Sequence, residues 1–461
     1  MSRCIGSFGD GLSVNHLGIL ALLSIGCGWM EPTPPDVILI TIDTLRADHV
    51  QALNPNSPVE TPNISSIAND GVVFTQAFSP ISVTAPAFAS MMTGLEPGRH
   101  GLLMNLFRGG DPLHPNIETL AERFSAAGYK TGAFVSGYTL RSDVGLRQGF
   151  DVYNALPTQN RQGMKTAQVL KAWLSVQQAP TFTWFHSYDP HGPVHRWITS
   201  ADSEVDWVRD PDHLSHFPQY QRIDDITDVR LYQELYGRGV EYADRGVGSI
   251  LDMLKSTDRY ERSLVIVLSD HGETFDEREL WFDHGYSTHV EQLHVPMIIK
   301  YPNNRSAGTK DQRLVSLLDV APTVLDVAGL PPLADIDGKS LTGTGAVHAW
   351  LAGESSHCKR VEVLPCSPHG GPGKELSIRT QSMSMMDKAR AGGTVVEYFD
   401  RIKDPEERHS VTVEPSSAVL GALEQLRTDR RGRSYAPLPS LAPKSKEDAE
   451  TRQLRALGYV E

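Results

Sequence analysis

The sequence predicts a doubly wound α/β fold, with a mostly parallel sheet between two helical layers and a smaller α+β domain after it. Three observations predict it. Two unbroken apolar runs, Val37–Ile42 (VILITI) and Leu264–Leu268 (LVIVL), have strand length, and runs without polar alternation suit strands covered on both faces. Segments of helical period stand between such runs up to about Leu341, the alternation that builds a sheet with helices on both sides. Beyond Leu341 the pattern changes to short alternating runs bounded by Gly and Pro, which suits an antiparallel sheet.

In chain order, helical patterns cover Ile64–Asn69 and Ile117–Ala127, the second closed by Gly128, because glycine tolerates the left-handed turn at a helix end. Thr131–Val135 and Thr181–Phe185 are strands by composition, and Arg196–Ile226, polar and rich in Asp, reads as a long surface excursion. Leu231–Leu254 is helical, Val295–Lys300 is a further buried strand, and Val320–Ala328 is helical again. Glu375–Arg379 and Thr394–Phe399 are strands of the second sheet, and Thr451–Val460 forms a short terminal helix. The expected domains are a catalytic domain over 36–341 and an α+β subdomain over 342–461.

The start of the chain has a different character. Leu17–Gly26 (LGILALLSIG) is an apolar run ending in small residues before Cys27, too short to span a bilayer and of the length of a signal h-region. Residues 1–27 are expected to be a signal peptide of lipoprotein type, with Cys27 lipid-bearing and 28–35, rich in proline, a tether. The protein is then exported to the periplasm or cell envelope, with membrane contact only through that anchor. Cys4, Cys27, Cys358 and Cys366 show no zinc-site spacing; Cys358 and Cys366 pair only in an oxidising compartment.

The 461 residues carry a formal charge of −13, which argues against a nucleic-acid partner, since such binders are basic overall. Any anionic substrate must be captured locally, by a metal or clustered His. Asp43 follows the first apolar run; Asp270 and His271 follow LVIVLS. Ligands of open α/β sheets bind at the carboxyl ends of strands, and two carboxylates with an imidazole there call for a divalent cation. Taken singly, each Asp reads better as a cap or turn residue; together they point to the site. The segment Thr84–Gly94 (TAPAFASMMTG) reads as a buried helix with Pro86 in its first turn and Gly94 at its end. Thr84 either caps that helix or offers a hydroxyl whose pKa a nearby cation lowers.

Several ordered blocks resemble the sulfatases of the alkaline-phosphatase superfamily. Asp43-Thr44-Leu45-Arg46-Ala47-Asp48-His49 is similar to the opening of such a domain, and Thr84-Ala85-Pro86 with Thr93-Gly94 and His100-Gly101 to the nucleophile signature. Tyr188-Asp189-Pro190-His191 resembles the block holding a substrate-contacting His. Ser269-Asp270-His271-Gly272-Glu273 and Asp283-His284-Gly285 resemble the second metal-binding block and the stretch after it. The likeness continues through Leu317–Thr323 and Asp337-Gly338 to the ending Leu454–Tyr459.

The departures matter as much. Thr84 stands where sulfatases carry the Cys or Ser oxidised to formylglycine, Phe88 where an Arg is usual, and Thr44 where a second Asp is usual. The same set also resembles superfamily branches that use an unmodified Thr as nucleophile. Carried over position by position, the resemblance implies metal ligands Asp43, Thr84, Asp270 and His271, with Zn or Mn favoured and Ca the third option. It gives His191 and His284 contacts to the transferred anion, as protonated donors or as neutral ligands of a second ion. Arg46 and His100 read as braces; His49, His289 and His294 as structural. The expected activity is hydrolysis of an anionic sulfate or phosphate ester through Thr84. The alternatives are phospho-group transfer to a glycan or lipid, and an inactive binding protein on the same scaffold.

Overall fold

The computed structural model describes residues 34–108, 110–279, 281–356, 374–390, 393–412 and 415–431. The expected signal peptide with Cys27, most of the tether, the Cys358–Cys366 pair and the terminal helix Thr451–Val460 lie outside the described residues. Among the described residues, no helix is long and apolar enough to cross a membrane.

Eight strands form the main sheet: β1 (Val37–Ile42), β2 (Val72–Phe78), β3 (Lys130–Val135), β4 (Val152–Asn154), β5 (Thr181–Ser187), β6 (Leu264–Leu268), β7 (Met297–Lys300) and β8 (Thr309–Ser316). Their order is β4-β3-β5-β1-β6-β7-β2-β8. Every neighbouring pair is parallel except those of β7, which runs antiparallel to both β6 and β2. The two runs that signalled the fold lie side by side at the centre, with Val37 opposite Leu264 and Thr41 opposite Leu268.

Strand β1 shows why its run is unbroken. Val37 and Leu39 enter one core cluster, while Ile38, Ile40 and Ile42 enter the other, as a pleat of period two requires. Burying each such side chain contributes about 1.5–3 kcal/mol. The first cluster is roofed by helices Thr84–Thr93, Leu120–Ala126 and Val320–Ala328. The second is roofed by Pro62–Asn69, Gly163–Leu174 and Val229–Ser256. Helix Leu120–Ala126 starts three residues later than its apolar pattern, because Thr119 and Glu122 form a reciprocal capping box there.

The structure refines one expectation and corrects another. The strand at Val295–Lys300 exists but is reversed relative to its neighbours, and periodicity carries no direction. The stretch Arg196–Ile226 is not a plain surface excursion. It contains short 3₁₀ turns, and Trp207, Phe217, Ile223 and Ile226 pack into the second core cluster.

A second, antiparallel sheet follows, ordered β12-β11-β10-β9, from β9 (Leu351–Glu354), β10 (Leu376–Arg379), β11 (Met383–Arg390) and β12 (Gly393–Asp400). Helix Ser417–Arg431 packs on it through Leu423 and Leu426. Glu407 ties this sheet to the first. Its buried carboxylate accepts from Ser384 Oγ at 2.6 Å and from the Val290 N–H at 2.9 Å, and it faces the Arg379 guanidinium at 3.3 Å. Burial alone would raise its pKa; Arg379, His289 and Ser384 more than offset this and hold it below the usual carboxylate range. A depressed folded pKa stabilises above the unfolded value, and that stability is lost as pH falls toward the folded one. Glu407→Gln is therefore expected to lose about 3 kcal/mol in urea unfolding at pH 7, with the deficit shrinking as pH drops below about 4. A deficit independent of pH would contradict this account.

Candidate active site and metal centre

The central strands deliver the site. The ladder from β1 to β5 extends one step past the strand, where the Asp43 N–H donates to the Ser187 carbonyl at 2.9 Å. The chain then turns at Thr44, whose φ of 55° is costly for a β-branched residue. That turn aims the Thr44 N–H at Asp270 Oδ1, 3.2 Å away, and the Leu45 N–H at Ser269 Oγ, 2.9 Å away. The ends of β1 and β6 are thus sewn together by backbone donors. Gly272 completes the turn after β6: its N–H donates to the Gln292 carbonyl, and a Cβ there would lie 2.1 Å from the Glu291 carbonyl oxygen.

Asp43, Asp270 and His271 converge with full burial, one ligand atom from each lying within 4.8 Å of the others. Asp43 Oδ1 and Asp270 Oδ2 have no hydrogen-bond partner. The His271 Nδ1–H donates to the Gly272 carbonyl at 2.8 Å, so the neutral ring keeps a lone pair on Nε2. That lone pair lies 3.3 Å from Asp270 Oδ2. Three electron-rich atoms turned toward each other away from water are unfavourable by themselves and favourable around a cation. Burial, and then the Asp270 charge, raise the Asp43 pKa well above the usual carboxylate range. This donor set fits a divalent cation.

Thr84 is the first residue of the helix Thr84–Thr93, and Val83 occupies the cap. The capping role considered for Thr84 is therefore not what its hydroxyl does: Oγ1 makes no cap bond and lies 3.4 Å from His271 Nε2. The helix is buried along its whole length and ends at Gly94 with φ 68°. Its start is held by Asn105, whose Oδ1 accepts the Ala85 N–H at 3.0 Å.

The two other expected site residues arrive at the same place. The ring of His284 lies 4.5 Å from that of His271 and 5.0 Å from that of His191. His191 stacks on Tyr188 at 4.2 Å, and its Nδ1 lies 2.7 Å from the Gly192 carbonyl. Burial, and then His284, lower its pKa well below the ordinary value, which favours the neutral form. His284 Nδ1 lies 3.2 Å from Glu273 Oε1, and burial raises the Glu273 carboxyl to about 8.

Arg46 braces the rim, donating to Asp48, Glu277 and the Glu273 carbonyl. His100 braces the helix through Ser90 Oγ at 3.0 Å. His49, His289 and His294 serve packing and polar contacts away from the cluster. Sequence reasoning missed His186 and gave Glu273 no role. His186 Nε2 lies 3.2 Å from Asp43 Oδ2, and burial lowers its pKa to about 4. Its signal was position: it sits two residues before Tyr188 at the carboxyl end of a strand neighbouring β1. Thr44 is no metal ligand here; its hydroxyl donates to the Asp43 carbonyl at 2.7 Å. Phe88 is fully buried between Trp184 and His186.

Residues 35–330 match the family model described as Sulfatase. The chain belongs to the sulfatase family. Family membership places it among hydrolases of sulfuric and phosphoric esters. Two ulvan-active sulfatases of Formosa agariphila are similar to it. One is 24% identical over 430 residues, covering 85% of this chain and 79% of that protein. The other is 25% identical over 340 residues, covering 68% of this chain but only 55% of that protein. The phosphonate monoester hydrolase of Agrobacterium radiobacter shares the fold, with a TM-score of 0.67 at 21% identity over 86% of this chain and 95% of that one.

The strain of the cation-free cluster can be measured. With a chelator present, Asp43→Asn should raise stability by on the order of 2 kcal/mol in urea unfolding, because it removes one of two facing buried charges. Added Mn²⁺ or Zn²⁺ should then raise the melting temperature of the wild type and leave that of the variant unmoved. A variant less stable than wild type in chelator would contradict the geometry above.

Proposed function

We propose that this sulfatase-family chain hydrolyses a sulfuric or phosphoric ester with unmodified Thr84 as nucleophile. The observation that carries the reading is the Thr84 hydroxyl, 3.4 Å from Nε2 of His271, the imidazole that clusters with Asp43 and Asp270. Asp43, Asp270, His271 and Thr84 would hold one divalent ion. An imidazole and a hydroxyl among the donors favour Zn or Mn over Ca. When bound, the ion supplies positive charge that lowers the hydroxyl pKa and offsets charge on the ester oxygens.

The remaining work falls to the chain. Thr84 Oγ1 forms a bond to sulfur or phosphorus in line with the ester oxygen, whose bond breaks. Neutral His191 accepts a proton, while His284, set against Glu273, returns one to the leaving oxygen. Water then attacks the group held on Thr84, giving a proton to His284, while the proton held on His191 returns to Thr84 Oγ1 and regenerates the hydroxyl. The helix Thr84–Thr93 places partial positive charge at its start, where the transferred anion sits. The domain over 36–341 carries this chemistry, and the apolar run ahead of Cys27 supports an exported, envelope location for it.

The test is a panel of aryl sulfate, aryl phosphate and aryl phosphonate esters with Mn²⁺, Zn²⁺ or Ca²⁺ added in turn. Thr84→Ala should lower kcat by about 10³-fold or more, and Thr84→Ser should retain part of the activity. Acid-quenched wild-type protein should carry the transferred group on the peptide containing Thr84. Full activity in Thr84→Ala would remove the residue from the nucleophile role.

A further inference from the structure

Asp43 presents its two oxygens unequally. Oδ2 lies 3.2 Å from His186 Nε2, while Oδ1 meets no hydrogen-bond partner. The imidazole is fixed from its other end, where the Gly137 N–H donates to Nδ1 at 3.4 Å. A ring nitrogen that accepts a backbone N–H leaves the proton of the neutral ring on the other nitrogen, here Nε2, which faces Asp43. The glycine permits this approach: a Cβ at position 137 would lie 3.0 Å from His186 Cε1 and 2.7 Å from Tyr188 Cδ2.

Packing holds the pair. Phe88 meets the His186 ring edge-on at 5.3 Å. Imidazole and carboxylate are both 0% exposed, so water cannot substitute for the contact. The strand register fixes the spacing, since His186 pairs with Thr41 and Ser187 with Ile42 across β5 and β1.

We propose that His186 is a positioning residue for the metal ligand Asp43, donating Nε2–H to Oδ2 so that Oδ1 is the oxygen presented to the cation. This rests on the metal reading above. A carboxylate bonded at one oxygen is fixed in plane and monodentate, and loses less rotational freedom when it binds an ion. Outer partners that orient metal ligands commonly contribute 10–100-fold to affinity, as an order of magnitude.

The experiment titrates Mn²⁺ and Zn²⁺ into the metal-free full chain against a competing chelator, and records the melting temperature of each metal-free variant. His186→Gln can place an amide N–H near the position of Nε2; His186→Asn can place one only near Nδ1 and cannot reach Asp43. The expected result is metal affinity near wild type for the Gln variant and about 10–100-fold weaker for the Asn variant, with similar metal-free melting temperatures for the two. Wild-type affinity in His186→Asn would overturn the proposal. So would a tenfold or greater loss in His186→Gln, and that measurement decides alone if the Asn variant does not fold. Wild-type protein that binds neither ion would overturn the metal reading itself, an outcome visible before any variant is made.

Discussion

Two carboxylates facing each other in a dry interior are the constraint around which the rest of this structure is arranged. At about 4 Å, like charges repel by about 4 kcal/mol even with an effective dielectric near 20. Asp43 and Asp270 are fully buried, yet each keeps an oxygen without a hydrogen-bond donor. A fold tolerates that arrangement when a bound cation reverses the sign of the interaction. β1 and β6, paired at the centre of the sheet and buried along their whole length, hold the two groups there against their repulsion. The backbone donors of Thr44 and Leu45 join the strand ends, and the costly φ at Thr44 is the local expense of that seam.

Much of this was legible in the sequence because it was written in composition. VILITI and LVIVL announced central strands, and acidic residues directly after them announced a site at the strand ends. Thr84, His191 and His284 reach the same place as the Asp-His cluster, as the ordered blocks implied. What stayed hidden depends on relations that no local window contains. The reversal of β7 is a matter of partner choice. His186 gained its partner through the register of β5 against β1, which its place two residues before Tyr188 suggests but does not fix. The capping question at Thr84 turned on one residue of helix start, a boundary set by Val83 and by the Asn105 contact to Ala85. The stretch 196–226 looked solvated because its few apolar residues are scattered, yet those are the ones that enter the core.

The departures from the family pattern have a common logic. A phenylalanine at position 88 places no charge beneath the helix start; it packs on Trp184 and His186 instead. Thr44 adds no carboxylate and closes its hydroxyl onto the Asp43 carbonyl. The cluster that results carries fewer charges, with His271 within it, His186 behind Asp43, and His284 and His191 alongside. Fewer formal charges mean a smaller desolvation cost, and imidazole donors suit borderline ions better than hard ones.

The reversal of β7 has a consequence for how the rim can change. A parallel neighbour of β6 would force the chain to cross beneath the sheet before returning. An antiparallel neighbour lets the whole stretch 269–296 leave and re-enter at one end, carrying Asp270, His271, Glu273 and His284 on a single overhang. Residues can be added at the exposed positions of that overhang, Asp276 and Glu279, without re-threading a strand, whereas Phe275 and Phe282 tie the rest of it to the helix Val229–Ser256. Asp270 and His271 stand at the root of that overhang, directly after β6, so its outer part can change in length while those two side chains keep their footing on the strand.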